Sequence, residues 1–115
     1  VMVDLCDDND VELIPLDMPD ELYTEIYCDT VSSMEFVREH NKAKKGMKRK
    51  FDMSTPESFS KEWDAFANRS KGFREMIGLR ERYISLRLSE LSEEGGSILA
   101  VIDCERTDGI TALLK

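Results

Sequence analysis

The chain has 115 residues, of which 41% are hydrophobic and 35% are charged, and its formal net charge is -8. This balance is typical of one folded, well-solvated domain and argues against an intrinsically disordered chain. Because no apolar stretch approaches the roughly 20 residues that cross a bilayer, we expect no membrane segment; the cysteines, described below, favour a cytoplasmic location. The first residue is Val1 rather than Met, so we expect either a single domain or the C-terminal part of a larger one.

Charge is unevenly distributed along the sequence. Residues 42–50, called the basic segment below, hold six basic residues and no acid. Subtracting these six charges from -8 leaves -14 on the rest of the chain. An acidic body repels polyanions, whereas a short basic segment attracts them.

The cysteines indicate a reducing compartment. Cys6, Cys28 and Cys104 are odd in number and widely spaced, which fits neither a disulfide framework nor a zinc motif. We therefore expect three buried, unreactive thiols.

The N-terminal half predicts a helix end, a short strand and a long helix. The sequence predicts the end of a helix over residues 1–6 and a strand over residues 11–16 that stops near Pro15. Pro19, followed by two acids, is typical of a helix start. The apolar spacing then predicts one helix from about 20 to about 41, softly interrupted near Thr30.

Two further helices follow the basic segment, which we expect to form an exposed turn around Gly46. Either Ser54 or Thr55 is an N-cap, because Pro56 and Glu57 come directly after them. The next helix carries an aromatic packing face of Phe59, Trp63, Phe66 and Ala67. After a bend at 68–70, a broad apolar stripe predicts a helix over about 72–92, buried against two partners.

The C-terminal end predicts a buried strand and a loop. Residues 98–102 are apolar without alternation, which favours a strand covered on both faces of a parallel sheet. Ligands usually bind at the loop after such a strand, here residues 103–108. That loop holds no histidine, no glycine-rich cradle and no nucleophile with a base, only a lone Cys104. Thr107 or Asp108 would then cap a last helix over 109–114.

The predicted fold class is therefore α/β: predominantly helical, with two short parallel strands from an incomplete sheet and a helical excursion over about 20–92. Because an isolated pair of strands is only marginally stable, we expect the sheet to be completed by residues outside this chain, by a second copy or by a swap between protomers.

For the individual candidate residues, a structural role outweighs a role in metal, ligand or substrate binding. His40 is the only histidine and suits the negative end of a helix better than a metal site. The acids at positions 4, 7, 8 and 10 lack the calcium-loop pattern. Arginines 74, 80, 82 and 87 stand on an apolar helix, where each either forms a salt bridge or holds a carboxylate or phosphate.

The basic segment is a solvated loop or a contact with an acidic partner surface, and the weaker alternative is a contact with a polyanion. Its candidate residues are Lys44, Lys45, Lys48, Arg49 and Lys50. Phosphate contacts by such side chains are independent of sequence, but the segment lacks interleaved aromatic residues for base stacking, apart from Phe51 at its end.

Three motifs resemble the C-terminal half of the TraB/PrgY family, which includes pheromone-shutdown proteins and Tiki-type metalloproteases. They are the segment 11–19, Arg80-Glu81-Arg82-Tyr83-Ile84, and 98–102 followed by Gly109-Ile110. The resemblance covers about two-thirds of the chain. It implies a strand ending in an aspartate, a helical insertion, a helix with an E-R-[ND]-x-Y-M-like motif, and a last strand ending in a G-x-G-H-like turn.

The sequence departs from that family at its metal-binding positions. Leu79 stands where the helix motif has its acid, Arg106 stands where the turn has its histidine, and the family's G-x-x-H has no counterpart. Because of these departures we expect no metal, no cofactor and no catalytic residue, although the family includes metalloproteases. The candidate cleft that it implies consists of Asp17, Arg80, Glu81, Asp103, Glu105 and Arg106.

Two functions from different classes follow from this resemblance. The first is a non-catalytic or degenerate TraB-like domain with an interaction or regulatory role, bound to a protein partner or assembled as a homo-oligomer. The alternative is a fragment of a metal-dependent peptide hydrolase whose N-terminal ligands are missing, which predicts Glu105 and Arg80 in one cleft. A third, weaker hypothesis is nucleic-acid binding through the basic segment.

Overall fold

Six α-helices account for all of the regular structure in a computed structural model that describes residues 1–115. They are α1 (Met2–Asp8), α2 (Asp20–Thr30), α3 (Ser33–Gly46), α4 (Pro56–Ala67), α5 (Lys71–Glu93) and α6 (Cys104–Leu114). None of these helices has the length and apolar character needed to cross a membrane.

The prediction of an α/β fold is wrong, because neither expected strand forms. Residues 11–16 and 97–102, called the extended segments below after the strands predicted there, form neither helix nor strand, and no backbone hydrogen bond involves residues 12–16 or 97–102. The second segment is not covered on both faces either, since Leu99 is 91% exposed and Val101 is 64% exposed. A strand requires a partner that satisfies its amides and carbonyls, and an apolar run by itself does not supply one.

The predicted long helix over 20–41 is two helices, separated at Val31 and Ser32. Ser32 Oγ accepts a hydrogen bond from the Glu35 amide at 3.2 Å, and the Glu35 carboxylate accepts one from the Ser32 amide at 3.0 Å. This capping box starts a new helix. It extends to Gly46, so half of the basic segment is helical where a turn was expected.

The helices α4 and α5 match their predictions closely. Thr55, one of the two expected caps, accepts a hydrogen bond from the Ser58 amide at 3.0 Å, and Pro56 occupies the first helical position. Ser70 caps α5, which ends at Glu93 before two glycines with positive φ. Those glycines adopt a conformation that other residues rarely tolerate, and this ends the helix.

The last helix begins five residues before its predicted start. Asp103 is its N-terminal flanking residue, and Glu105 lies in its first turn, where a negative charge is favourable. Residues 104–108 are thus helical rather than an open loop. Gly109 lies inside the helix where α6 approaches α5, and a β-carbon at this position would force the Glu81 carboxylate to move.

Packing follows the spatial order α2, α5, α6, α4, α3. The core lies chiefly along α5, where Met76 and Ile84 are each 4% exposed, and on α6, where Ile110 is 1% exposed. Glu35 links α3 back to α5, because its carboxylate also accepts a hydrogen bond from the Gly72 amide at 2.8 Å. The N-termini of both helices are therefore held by one side chain.

The chain is open for its size. Its radius of gyration is 16.6 Å, whereas about 13 Å is expected for a compact domain of this length. Its accessible surface is 8765 Å², compared with about 6400 Å² for a folded monomer of this mass. Much of the apolar surface is therefore left uncovered by the chain itself.

Candidate functional site

Arg80, a residue of α5, contacts the aspartate that follows each extended segment. Its Nε donates to Asp17 Oδ2 at 2.8 Å and to Oδ1 at 3.0 Å, and its Nη2 also donates to Oδ2. The same Nη2 lies 3.5 Å from Asp103 Oδ2. Asp17 follows the segment 11–16 and Asp103 follows the segment 97–102, so this one guanidinium fixes where both segments end.

The arginine also controls the ionisation of Asp17. Partial burial raises the pKa of Asp17, but the hydrogen bond from Arg80, the bond from the Met18 amide and the charge of Arg80 together hold this pKa below its usual value. Asp17 is therefore a carboxylate at neutral pH, fully occupied with a cation. It is poorly suited to act as a general base, because a base needs a pKa near the working pH.

Arg106 forms a second ionic cluster at the junction of α4, α5 and α6. Its side chain is 8% exposed and donates to Asp64 Oδ1, while Nη1 lies 3.6 Å from Glu81 Oε1. Burial raises the pKa of Glu81. Asp64 Oδ1 also accepts a hydrogen bond from Asn68 at 2.7 Å. The positive charge of the buried Arg106 guanidinium is therefore paired with two carboxylates, as a buried charge requires.

Cys104 is placed unfavourably for nucleophilic chemistry. Its Sγ donates to Glu105 Oε2 at 3.3 Å. This hydrogen bond, together with desolvation and the charge of Glu105, raises the pKa of the Cys104 thiol. The thiolate is the reactive form, so the thiol is less reactive than an ordinary cysteine. The prediction of three buried thiols is wrong, because Cys28 is exposed and Cys6 and Cys104 are only half-buried.

A cavity of about 590 Å³, called the apolar cavity below, lies between the two extended segments. Ile84 and Leu91 of α5 contribute to its lining. Of the six predicted cleft residues, four line it: Asp17, Arg80, Asp103 and Arg106. Glu81 lines a separate cavity of about 560 Å³, together with Asp64 and Arg106. Glu105 lines neither of them.

Metal-binding groups do not converge anywhere in the molecule. No group of three or more histidine, cysteine, aspartate or glutamate side chains is placed to hold a metal ion. His40 is exposed and stacks on Phe36, with ring centroids 6.3 Å apart. The charged residues that line the apolar cavity are Glu12, Asp17, Arg80, Glu94, Asp103 and Arg106, and they include no histidine.

The chain matches no family model, no curated protein and no solved structure. The resemblance to the TraB/PrgY family therefore stays a prediction, and the strands that it implied are absent.

Sequence reasoning missed Asp64 of the Arg106 cluster and the position of Trp63, which lines a groove of about 1030 Å³ beside the basic segment. Asp64 pairs with Arg106, which is 42 positions away, and no local pattern signals such a pair. Trp63 belonged to a predicted aromatic face, but its position beside the basic segment depends on α3 packing against α4. The structure thus supplies aromatic neighbours that the basic segment lacks in sequence.

Proposed function

We propose that this chain is a non-catalytic interaction domain, in the sense of the degenerate TraB-like domain that the sequence predicts, and that the apolar cavity is its docking surface. The observation that carries this proposal is the exposure of the apolar side chains around the cavity. Val11 is 57% exposed, Leu13 48%, Ile98 46%, Leu99 91% and Val101 64%. Adjoining apolar residues exposed to this degree are typical of a protein contact surface.

The excess accessible surface supports the same proposal. It amounts to roughly 2300 Å², the difference between the surface of this chain and that expected for a folded monomer of its mass. Stable protein interfaces bury about 1,200–2,000 Å² in total, which is about 600–1,000 Å² on each partner, so the excess is large enough for such a contact. A partner segment across the two extended segments would cover apolar surface and offer hydrogen bonds to backbone groups that now have none.

The pairing of both arginines and the low reactivity of the neighbouring thiol favour binding over catalysis. Arg80 and Arg106 are each neutralised by two carboxylates. The neighbouring thiol has a raised pKa. The alternative, a metal-dependent hydrolase, requires Glu105 beside Arg80 in one cleft, and only Arg80 lines the cavity.

The partner is a second copy of this chain or another protein of the same compartment. The three free cysteines are consistent with the cytoplasm. In either case the contact depends on apolar burial, so we expect it to tolerate high salt.

Self-association is measured first, by sedimentation velocity over a range of concentrations. If the partner is a second copy, the native chain dimerises and a Leu99→Glu, Val101→Glu variant remains monomeric, with unchanged helicity by circular dichroism. If the native chain is monomeric, a photo-crosslinking amino acid is placed at position 99, and at the equally exposed position 34 on α3 as the control. A discrete adduct at 99 that is absent at 34, and that Val101→Glu removes, supports the proposal.

Two results would contradict the proposed function. One is a native chain that neither associates nor crosslinks more at position 99 than at position 34. The other is tight zinc or manganese binding by calorimetry, together with peptide hydrolysis, which would restore the hydrolase alternative.

A further inference from the structure

A second surface lies between the C-terminal end of α3 and α4, on elements that do not line the apolar cavity. It is a groove of about 1030 Å³, called the basic groove below, and residues 47–53 form part of its wall. Its apolar lining includes Met47, Phe51, Met53, Phe59 and Trp63. Lys44, Arg49 and Lys50 contribute positive charge around that lining.

The lining of the basic groove is aromatic and thioether-rich. Phe51 packs edge-on against Trp63, Phe59 and Phe66, with ring centroids 5.5 to 5.8 Å apart. Met47 is 81% exposed and Met53 is 73% exposed. Exposed methionines beside packed rings form an adaptable surface that accepts apolar side chains of different shapes.

The cations around the groove have no carboxylate partners. None of Lys44, Arg49 and Lys50 lies within ion-pair distance of an Asp or Glu. Arg49 instead lies over Phe51 and Phe66, at 5.5 Å and 5.0 Å from the ring centroids. In a chain of net charge -8, unpaired cations around an apolar groove are complementary to a ligand that is both apolar and acidic.

We propose that the basic groove binds an acidic amphipathic peptide segment of a partner protein. Apolar side chains on one face of that segment enter between the methionines and the rings, and carboxylates on its other face meet Lys44, Arg49 and Lys50. This is the groove recognition of an amphipathic segment, with charge complementarity added. It concerns a different surface from the apolar cavity and does not depend on the function proposed for that cavity.

A single-stranded nucleic acid fits the groove less well, for two reasons. Bases stack on open ring faces, whereas Trp63 and Phe59 stack on one another with their planes 28° apart and their centroids separated by 6.2 Å. The acidic remainder of the chain also repels a long polyanion more than it repels a short peptide.

The sequence provides an internal reporter and a matched control for the test. Trp63 is the only tryptophan and lines the groove, so its emission reports on occupancy. Lys44 and Lys45 both lie in the last turn of α3, but only Lys44 lines the groove; likewise Lys50 lines it and Lys48 does not. A Lys44→Glu, Lys50→Glu variant and a Lys45→Glu, Lys48→Glu control therefore have the same net charge.

The probe is a short synthetic peptide with leucines at helical spacing and glutamates between them. We expect it to shift the Trp63 emission of the native chain saturably. Its affinity should fall roughly tenfold for Lys44→Glu, Lys50→Glu and less than about twofold for the control. A peptide with serines in place of the leucines should bind at least roughly tenfold more weakly. Circular dichroism establishes that both variants keep the native helicity.

Three outcomes would overturn the proposal. The first is equal binding of the serine peptide, and the second is equal loss of affinity in the two variants, since either would mean attraction by net charge alone. The third is tighter binding of a short oligothymidine than of the leucine peptide at moderate salt, which would make the groove a nucleic-acid site.

Discussion

Glu35, a half-buried residue, contributes to two helix starts. One carboxylate accepts hydrogen bonds from the Ser32 and Gly72 amides. These bonds, together with one from the Ser32 hydroxyl and the charge of Arg38, outweigh a small effect of burial and lower the pKa of Glu35. The ionised form of Glu35 is therefore the form that stabilises the two helix N-termini.

The first prediction concerns the pH dependence of that stabilisation. A group with a lowered folded-state pKa stabilises the fold above its unfolded pKa, about 4.3 for glutamate, and the effect is lost as the pH falls through the folded pKa. Glu35→Gln should therefore lower the melting temperature at about pH 7, and the difference from the native chain should shrink as the pH falls below about 4.3 and through the lowered folded-state pKa.

Thermal melts followed by circular dichroism at several pH values measure this difference. Glu75→Gln, an exposed position on α5 without a hydrogen-bond or ion-pair partner, is the control and should have little effect. A Glu35→Gln difference that stays constant with pH would show that the carboxylate charge is not responsible.

Arg106 provides the second prediction at this scale. Replacing it by Gln removes the positive charge between Asp64 and Glu81, whose side chains are only 21% and 16% exposed. We expect Arg106→Gln to lower the free energy of unfolding by about 3 kcal/mol, because two partly buried carboxylates lose their partner. Arg87→Gln, which breaks an exposed pair with Glu90, should cost less than about 1 kcal/mol.

Urea denaturation of both variants separates these values. Equal losses for Arg106→Gln and Arg87→Gln would mean that the cluster at Arg106 contributes no more than a surface ion pair.

Among the helices, α6 packs against both α5 and α4 and so holds these two helices together. Its Ile110 is the most completely buried side chain. Beside it, the Ser85 hydroxyl of α5 donates to the Glu81 carbonyl at 2.8 Å and also to the Ile110 carbonyl at 3.4 Å. Close approach of α6 to α5 at Gly109 makes these contacts possible.

The third prediction tests this packing with two positions on the same helix. Ile110→Ala should lower the free energy of unfolding by about 2–5 kcal/mol, because it leaves a cavity in a site that cannot fully collapse. Leu113→Ala, at a side chain 50% exposed, should cost less than about 1 kcal/mol. Chemical denaturation measures both; a larger loss for Leu113→Ala would mean that α6 packs through its other face.

The whole molecule combines a helical core with two extended segments that lack backbone partners. Amides exchange slowly when they are hydrogen-bonded in a stable element and rapidly when they are open to solvent. The fourth prediction is that the amides of residues 12–14, 16 and 97–102 exchange close to the rate of an unstructured chain, whereas the centre of α5 is strongly protected.

Hydrogen–deuterium exchange read by mass spectrometry or NMR tests this directly. Slow exchange across 98–102 in a monomeric sample would mean that this segment has found a hydrogen-bonding partner within the chain. If the apolar cavity binds a partner as proposed, protection in these segments should appear only in the complex.

At each scale, the features that the sequence predicts correctly are those set by residues close together in the chain. Thr55 with Pro56, the bend at 68–70 and the two glycines after Glu93 act within a few residues of themselves, so the bounds of α4 and α5 follow from the sequence. The grouping of Asp17 and Arg80 in one candidate cleft rested only on a family resemblance, yet the structure does place them in contact.

Tertiary structure alone decided whether apolar segments became strands. Residues 98–102 have the composition of a buried strand, but a strand exists only when another segment supplies hydrogen bonds, and here none does. The pairing of Asp64 with Arg106, and the placement of Trp63 beside Lys44, likewise depend on which helices meet. The sequence by itself thus determined the bounds of α4 and α5, the basic segment and the uneven distribution of charge, because these features depend on neighbouring residues. The fold class and both candidate binding surfaces depend on contacts between distant residues, so only the tertiary structure decided them.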